Sequence, residues 1–145
     1  MKTLRMILLA LALTAPAAVA AQEPDIVVRA ETERAEIERI LDADNLDTAR
    51  LSPREVVDIM SGIARGRAPD DFWDAYQLHV RAWATLADLA DRIQRRPDGS
   101  TFVADPDQLA AAEAAIGATF DEVERIARVY HARLPRPLVD TRAIV

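Results

Sequence analysis

The sequence predicts an all-α protein: an antiparallel bundle of about four helices behind a cleaved signal peptide. Three observations carry this expectation. Apolar residues recur at alternating spacings of three and four through most of residues 24–134, and no strand pattern of period two competes with them. Two helix starts are spelled out, Ser52-Pro53-Arg54-Glu55 and Asp105-Pro106-Asp107-Gln108. The 145 residues contain no cysteine, so no disulfide framework substitutes for a packed core.

Met1-Lys2-Thr3-Leu4-Arg5 is a short positive segment, followed by an almost unbroken apolar run from Met6 to Ala15. Pro16 breaks the run, and Ala18-Val19-Ala20 forms an A-x-A cleavage signal. This is the pattern of a secretory signal peptide. As a retained anchor the run is too short, since Gln22 interrupts it before the roughly 20 apolar residues that a bilayer span needs. Residues 1–20 are therefore expected to be removed after Ala20, leaving one domain over 21–145 that is periplasmic or secreted. Without Lys2 and Arg5, 16 basic residues, all arginine, face 24 acidic ones, a net charge of −8. That balance argues against nucleic-acid binding, which needs a basic face. Without cysteine there is no lipid-anchored N-terminus, no C-x-x-C-H haem attachment and no thiolate zinc site. The positive segment lacks the paired arginines of the twin-Arg route. No cofactor is expected, and no membrane anchor after cleavage.

The first helix is expected over Pro24 to Ala43, with Ile26, Ala30, Ile37, Ile40 and Leu41 on one face and Glu31, Arg34, Glu38 and Asp42 opposite. Asp44-Asn45-Leu46-Asp47 reads as a turn. At the second start Ser52 caps the amide of Glu55, Glu55 reaches back, and Pro53 suits the first helical position. That helix presents Val56, Ile59, Met60 and Ile63 and is expected to stop at Gly66. The third and longest runs from Pro69 to about Arg96, with Phe72, Tyr76, His79, Trp83, Leu86, Ala90 and Ile93 on its central stripe. Trp73, Val80 and Ala87 widen the stripe on one side, and Ala75, Leu78, Ala82 and Leu89 on the other. After Pro97-Asp98-Gly99-Ser100 comes a short connector, Thr101 to Ala104. The fourth helix follows the Asp105 cap, with Leu109, Ala112, Ile116, Phe120, Val123, Ala127, Tyr130 and Leu134 on one stripe. Asp121 with Arg125 and Glu124 with Arg128 are expected as exposed pairs. Gly117 costs about 1 kcal/mol of helix propensity and is expected to mark a kink or a close crossing. A loose tail is expected from about Pro135.

The third helix concentrates chemistry. Phe72, Trp73, Tyr76, His79 and Trp83 bring both tryptophans and one of the two histidines into a short stretch. Two readings are open. Phe72, Tyr76, His79 and Trp83 line a ligand pocket, where an imidazole beside a phenol serves as a base or holds a metal or planar ligand; or the aromatics fill the core around a hydrogen-bonded histidine. The second is favoured, because no nucleophile or partnered carboxylate is legible nearby.

Pro69-x-Asp71-Phe72-x-x-Ala75-Tyr76-x-x-His79-x-x-Ala82-Trp83 resembles a P-x-D-F-x-x-A-x-x-x-H-x-x-A-W segment of small exported bacterial helical proteins with no assigned function. The resemblance spans about fifteen residues. It implies a helical exported domain with the same aromatic–histidine face, and it brings no activity.

Two further clusters invite site readings. Asp42-Ala43-Asp44-Asn45-Leu46-Asp47 fails as a calcium-binding loop, since Leu46, Asp47 and Pro53 fall where a ligand, a glycine and a bidentate glutamate are required. A solvated acidic turn is expected instead. His131, beside the stripe of the fourth helix, reads as a surface residue rather than as half of a metal site with His79. Arg125, Arg128, Arg133, Arg136 and Arg142 give the C-terminal end a local positive charge. They are either ordinary helix-end arginines or contacts to an acidic partner. The function expected from all this is an exported binding or interaction protein, non-catalytic, whose partner is another envelope protein. The alternative is a small-molecule or metal-binding domain, open to enzymatic use, built on His79, Tyr76 and Trp83.

Overall fold

Local capping chemistry sets the frame, and the computed structural model, which describes residues 23–92, 94–95, 98–102 and 105–136, shows how the helices assemble on it. The chain forms α1 (Glu23–Asp44), α2 (Pro53–Ser61), α3 (Asp70–Asp91) and α4 (Pro106–Val129), with a two-residue antiparallel pairing of β1 (Gln94–Arg95) and β2 (Thr101–Phe102) between the last two helices. The expected signal peptide and the C-terminal residues after Arg136 lie outside the described residues. None of the described helices is long and apolar enough to cross a membrane.

Both anticipated starts are realised. Ser52 Oγ accepts from the Glu55 amide at 3.3 Å, and the Glu55 carboxylate accepts from the Ser52 amide at 2.8 Å. These reciprocal bonds satisfy amides that the first turn otherwise leaves orphaned. At α4 the Asp105 carboxylate accepts from the amides of Asp107 and Gln108. The first turn of α3 has no side-chain cap on Pro69; instead Asp71 Oδ1 accepts from the Phe72 amide and from the Tyr130 hydroxyl at 3.0 Å, tying the start of α3 to the end of α4.

That contact, with the His79 ring 5.3 Å from the Phe120 ring, makes α3 and α4 antiparallel neighbours. α2 and α3 are likewise antiparallel: Arg54 bonds Asp88 and Asp91 at one end, and Arg65 pairs with Asp70 at the other. α1 enters the core through its C-terminal half. Ile37, Ile40 and Leu41 are buried with Val56, Met60, Phe72, Tyr76, Val123 and Ile126, each contributing about 2 kcal/mol of apolar transfer. Its first half is uncovered: Ile26, Val27 and Val28 are 66%, 56% and 61% exposed. The apolar face expected from Ile26 and Ala30 onward is therefore a core face only from Ile37.

The helix ends differ from expectation in three places. α2 stops at Ser61 rather than Gly66, because Gly62 caps it and Ile63 leaves the helix to pack on the core. Gly66, at φ +58°, belongs to the following turn, and a Cβ there would collide with the Glu36 carboxylate. α3 stops at Asp91, not Arg96; Gln94 and Arg95 instead pair with Phe102 and Thr101 as a short antiparallel ladder. α4 ends at Val129 with His131 at φ +55°. The amides of His131 and Ala132 each bond at 3.0 Å to the carbonyls of Arg128 and Ala127, a left-handed helix stop in which histidine takes the usual place of glycine.

Gly117 does not mark a close crossing. α4 runs through it without a break, and a Cβ added there meets nothing within 4 Å. The tail is attached further along than expected: Leu134 packs on the core, and Asn45 Nδ2 donates to the Arg136 carbonyl at 3.1 Å.

Candidate functional site

The stripe of α3 divides by depth. Phe72 and Tyr76 are fully buried, their rings parallel with centroids 6.5 Å apart, and Trp73 covers Tyr76 at 5.5 Å. One turn further along, His79 and the half-buried Trp83 reach an open cleft of about 330 Å³. Of the four ligand-binding candidates on α3, the structure thus brings His79 and Trp83 together at a cavity and places Phe72 and Tyr76 in the core behind them. Leu41, Leu46, Met60, Ile116 and Phe120 supply apolar walls, and Asp44, Asn45 and Thr48 supply polar groups at the end of α1 and the turn after it.

His79 is 3% exposed. Its Nδ1 lies 3.0 Å from Thr119 Oγ1, while that hydroxyl is 2.8 Å from the Ala115 carbonyl and 3.1 Å from that of Ile116. A hydroxyl carries one hydrogen, and a carbonyl can only accept. The Thr119 hydrogen therefore goes to the backbone, so Nδ1 carries the ring hydrogen and donates to Oγ1. Nε2 is left with its lone pair. No hydrogen bond to Nε2 is formed among the described residues, and His79 lines the cleft. Burial disfavours the imidazolium and pushes the His79 pKa down to about 4, against which the Ile116 carbonyl acts weakly.

Asp44 corrects the expectation of a solvated acidic turn. The helical period carries it onto the face of Ile37, Ile40 and Leu41, so it is the last turn of α1 and partly buried. Burial pushes its carboxyl up to about 7. The Tyr76 hydroxyl, donating to Oδ1 over 3.4 Å, opposes this only slightly, as so long a contact is weak. The same burial, with the neighbouring carboxylate, holds the Tyr76 phenol protonated. Among the described residues, His79 and Asp44 are the titratable ones that line the cleft, and at neutral pH the imidazole is uncharged while the carboxyl is poised between its two forms.

The late arginines occupy different surroundings. Arg125 bonds Glu122 at 2.6 Å, in place of the expected Asp121, and Arg128 bonds Glu124 at 2.6 Å. Arg133 lies 3.6 Å from Asp42, and its amide bonds Glu38. Arg136 is exposed and anchored through its carbonyl. Arg142 lies outside the described residues. His131 is exposed just past the end of α4, twelve residues beyond Thr119, the α4 residue that meets His79. Among the described residues no group of three His, Cys, Asp or Glu side chains is placed to hold a metal ion.

A second, larger groove of about 1170 Å³ lies between the start of α1 and the 65–71 turn, with Tyr130 at one end. Its walls mix exposed apolar residues with charges of both signs, of which Arg29 pairs with Glu33 and Arg65 with Asp70. It holds no buried polar group for a ligand to satisfy. The smaller cleft, with apolar walls and a few convergent polar atoms, is the better-built binding site. Sequence reasoning missed Asp44, Asn45, Thr48, Ile116 and Thr119 as its components. The legible signal was for Asp44, one turn beyond Ile40 and Leu41 on an apolar face. No protein-family model, curated protein or solved structure matches this chain.

Proposed function

We propose that this protein is an exported, non-catalytic binding protein that takes a small ligand into the cleft between α1, α3 and α4. The observation that carries this reading is the open cavity lined by the otherwise buried His79, with Trp83 and Phe120 beside it. Export is supported by the pattern of residues 1–20. The absence of chemistry is supported by the partners of His79. Its Nδ1 faces a hydroxyl rather than a carboxylate, and an imidazole held near pKa 4 is a weak base at neutral pH. The test is a panel of small amphiphiles titrated into the isotope-labelled protein. Resonance shifts confined to residues such as Leu46, His79, Trp83 and Phe120 are expected. A panel that moves none of them, or moves only residues elsewhere, refutes the reading.

A second reading has its own observation. Ile26, Val27 and Val28 form an uncovered apolar run at the start of α1, a surface suited to another envelope protein. The late arginines would contribute to that contact chiefly through Arg133 and Arg136, since Arg125 and Arg128 are paired on their own helix. Co-purification from the native envelope, in parallel with an Ile26→Asp/Val28→Asp variant, tests it. Loss of a partner from the variant alone supports the reading, and recovery of the unaltered protein as a lone monomer overturns it.

A further inference from the structure

Three residues of the cleft, Asp44, His79 and Asn45, each bring an acceptor to it. Asp44 keeps Oδ2 free of protein donors among the described residues, its Oδ1 being the atom that receives the Tyr76 hydroxyl. His79 offers the Nε2 lone pair, the tautomer being set by Thr119. Asn45 directs its amide nitrogen to the Arg136 carbonyl and keeps Oδ1 as an acceptor. Thr48, the second hydrogen of the Asn45 amide and the Trp83 indole N–H are the donors of the lining. Among the described residues no lysine or arginine lines the cavity. The remaining walls are aliphatic or aromatic: α2 gives Val56 and Met60, and α4 gives Ile116, Gly117 and Phe120, none of them titratable.

We infer that the cleft selects a small apolar ligand ending in a primary ammonium group, with Asp44 as its counter-ion. The inference rests on the reading of this cleft as a ligand site. A carboxylate or phosphate would face the Asp44 carboxylate, with no cation among the described lining residues to receive it. An ammonium brings three donors and no acceptor, which matches Asp44, His79 Nε2 and Asn45 Oδ1 in kind. The faces of Trp83 and Phe120 suit both the apolar body and, through the ring quadrupole, the cation. The volume of about 330 Å³ lies at the small end of the roughly 300–1,000 Å³ of small-molecule sites, which suits a ligand such as an arylalkylamine.

The probes are 2-phenylethylamine, 2-phenylethanol and 3-phenylpropanoate, titrated calorimetrically into the purified protein at pH 8. At this pH Asp44, poised near 7, is mostly ionised. The amine is expected to bind at least about fivefold more tightly than the alcohol, the factor that one charge-assisted hydrogen bond supplies, and the carboxylate is expected to show no saturable binding. Asp44→Asn is expected to abolish the preference for amine over alcohol, read as the ratio of their two affinities. Gly117→Leu is expected to remove binding of both without lowering the melting temperature, since the space around the Gly117 Cβ position is open. Carboxylate binding as tight as that of the amine, or an amine preference that survives Asp44→Asn, overturns the inference. Saturable binding of all three probes without preference overturns it too, yet leaves the ligand-site reading standing. If none of the three binds, the inference is overturned, and the wider amphiphile panel decides the ligand-site reading.

Discussion

Folding moves a proton between two side chains of the cleft, and this has a measurable signature. Asp44 goes from 3.8 in the open chain to about 7 in the fold, and His79 from 6.5 to about 4. Both shifts stem mainly from burial, which favours the neutral form of each group. Between pH 4 and 6.5 the folded protein keeps a proton on Asp44 that the unfolded chain has lost. It also lacks the proton on His79 that the unfolded chain holds. The proton counts are equal, so the two contributions to the pH slope of stability cancel. Removing either group uncovers the other. In Asp44→Asn, only His79 remains: its folded pKa is lowered, so stability is fully present above pH 6.5 and is lost as pH falls toward 4, by about 3 kcal/mol in all. In His79→Gln, only Asp44 remains: its folded pKa is raised, so stability is present at low pH and is lost as pH rises from 4 to 7, by about 4 kcal/mol. The assay is urea unfolding followed by far-ultraviolet circular dichroism from pH 4 to 8. Each variant is compared with the unaltered protein, so that exposed carboxylates such as Glu55 and Glu122 drop out of the difference. Opposite slopes in the two variants are expected. An Asp44→Asn profile parallel to that of the unaltered protein would show that Asp44 ionises as freely in the fold as in the open chain, and would refute the reasoning.

Three further substitutions probe the backbone. Gly117→Ala fills open space on a continuous helix and should raise stability by about 0.5–1 kcal/mol, read as a higher urea midpoint at unchanged slope. His131→Gly relieves a left-handed residue at φ +55° and should stabilise by about 1 kcal/mol, a rise of about 3 °C in melting temperature; no change would mean that the His131 side chain compensates for its backbone. Gly66→Ala puts a Cβ at φ +58° against Glu36 and should destabilise by about 1–2 kcal/mol, checked by the same thermal melt.

The helices were legible because their signals are local. A capping box such as Ser52–Glu55 needs only four residues to agree, and the stripe Ala112, Val123 and Ala127 needs only the helical period; all three of those α4 residues are buried. What was not legible depends on neighbours in space. Ile26 and Ile37 lie on the same amphipathic pattern, yet one is exposed and the other sealed, because the other helices cover only the second half of α1. The end of α4 was misjudged because histidine at a left-handed position carries no propensity signal, and the backbone there is fixed by hydrogen bonds to Ala127 and Arg128.

The cleft shows the same division within one site. His79 and Trp83 stood out in sequence because they are rare residues on a long stripe, but the stripe could not say which of its members reach a cavity. Tyr76 and His79 lie three residues apart; the first is enclosed by Phe72 and Trp73 and the second opens toward α4. Asp44 was hidden for the opposite reason. Its acidic neighbours Asp42 and Asp47, both exposed, made it look like part of a solvated turn, whereas the helical period of α1 carries it inward beside Tyr76. A carboxyl so placed is unfavourable for folding above its unperturbed pKa, because burial penalises its charge and the long Tyr76 contact returns little. The energetic gap narrows if a bound cation completes the ion pair, since a charge that burial disfavours is stabilised by a partner in the same cavity. Stability and ligand choice then depend on the same carboxyl. Asp44→Asn should make the unliganded protein more stable at pH 8 while removing its preference for an ammonium ligand, and the two effects are measurable on one purified variant.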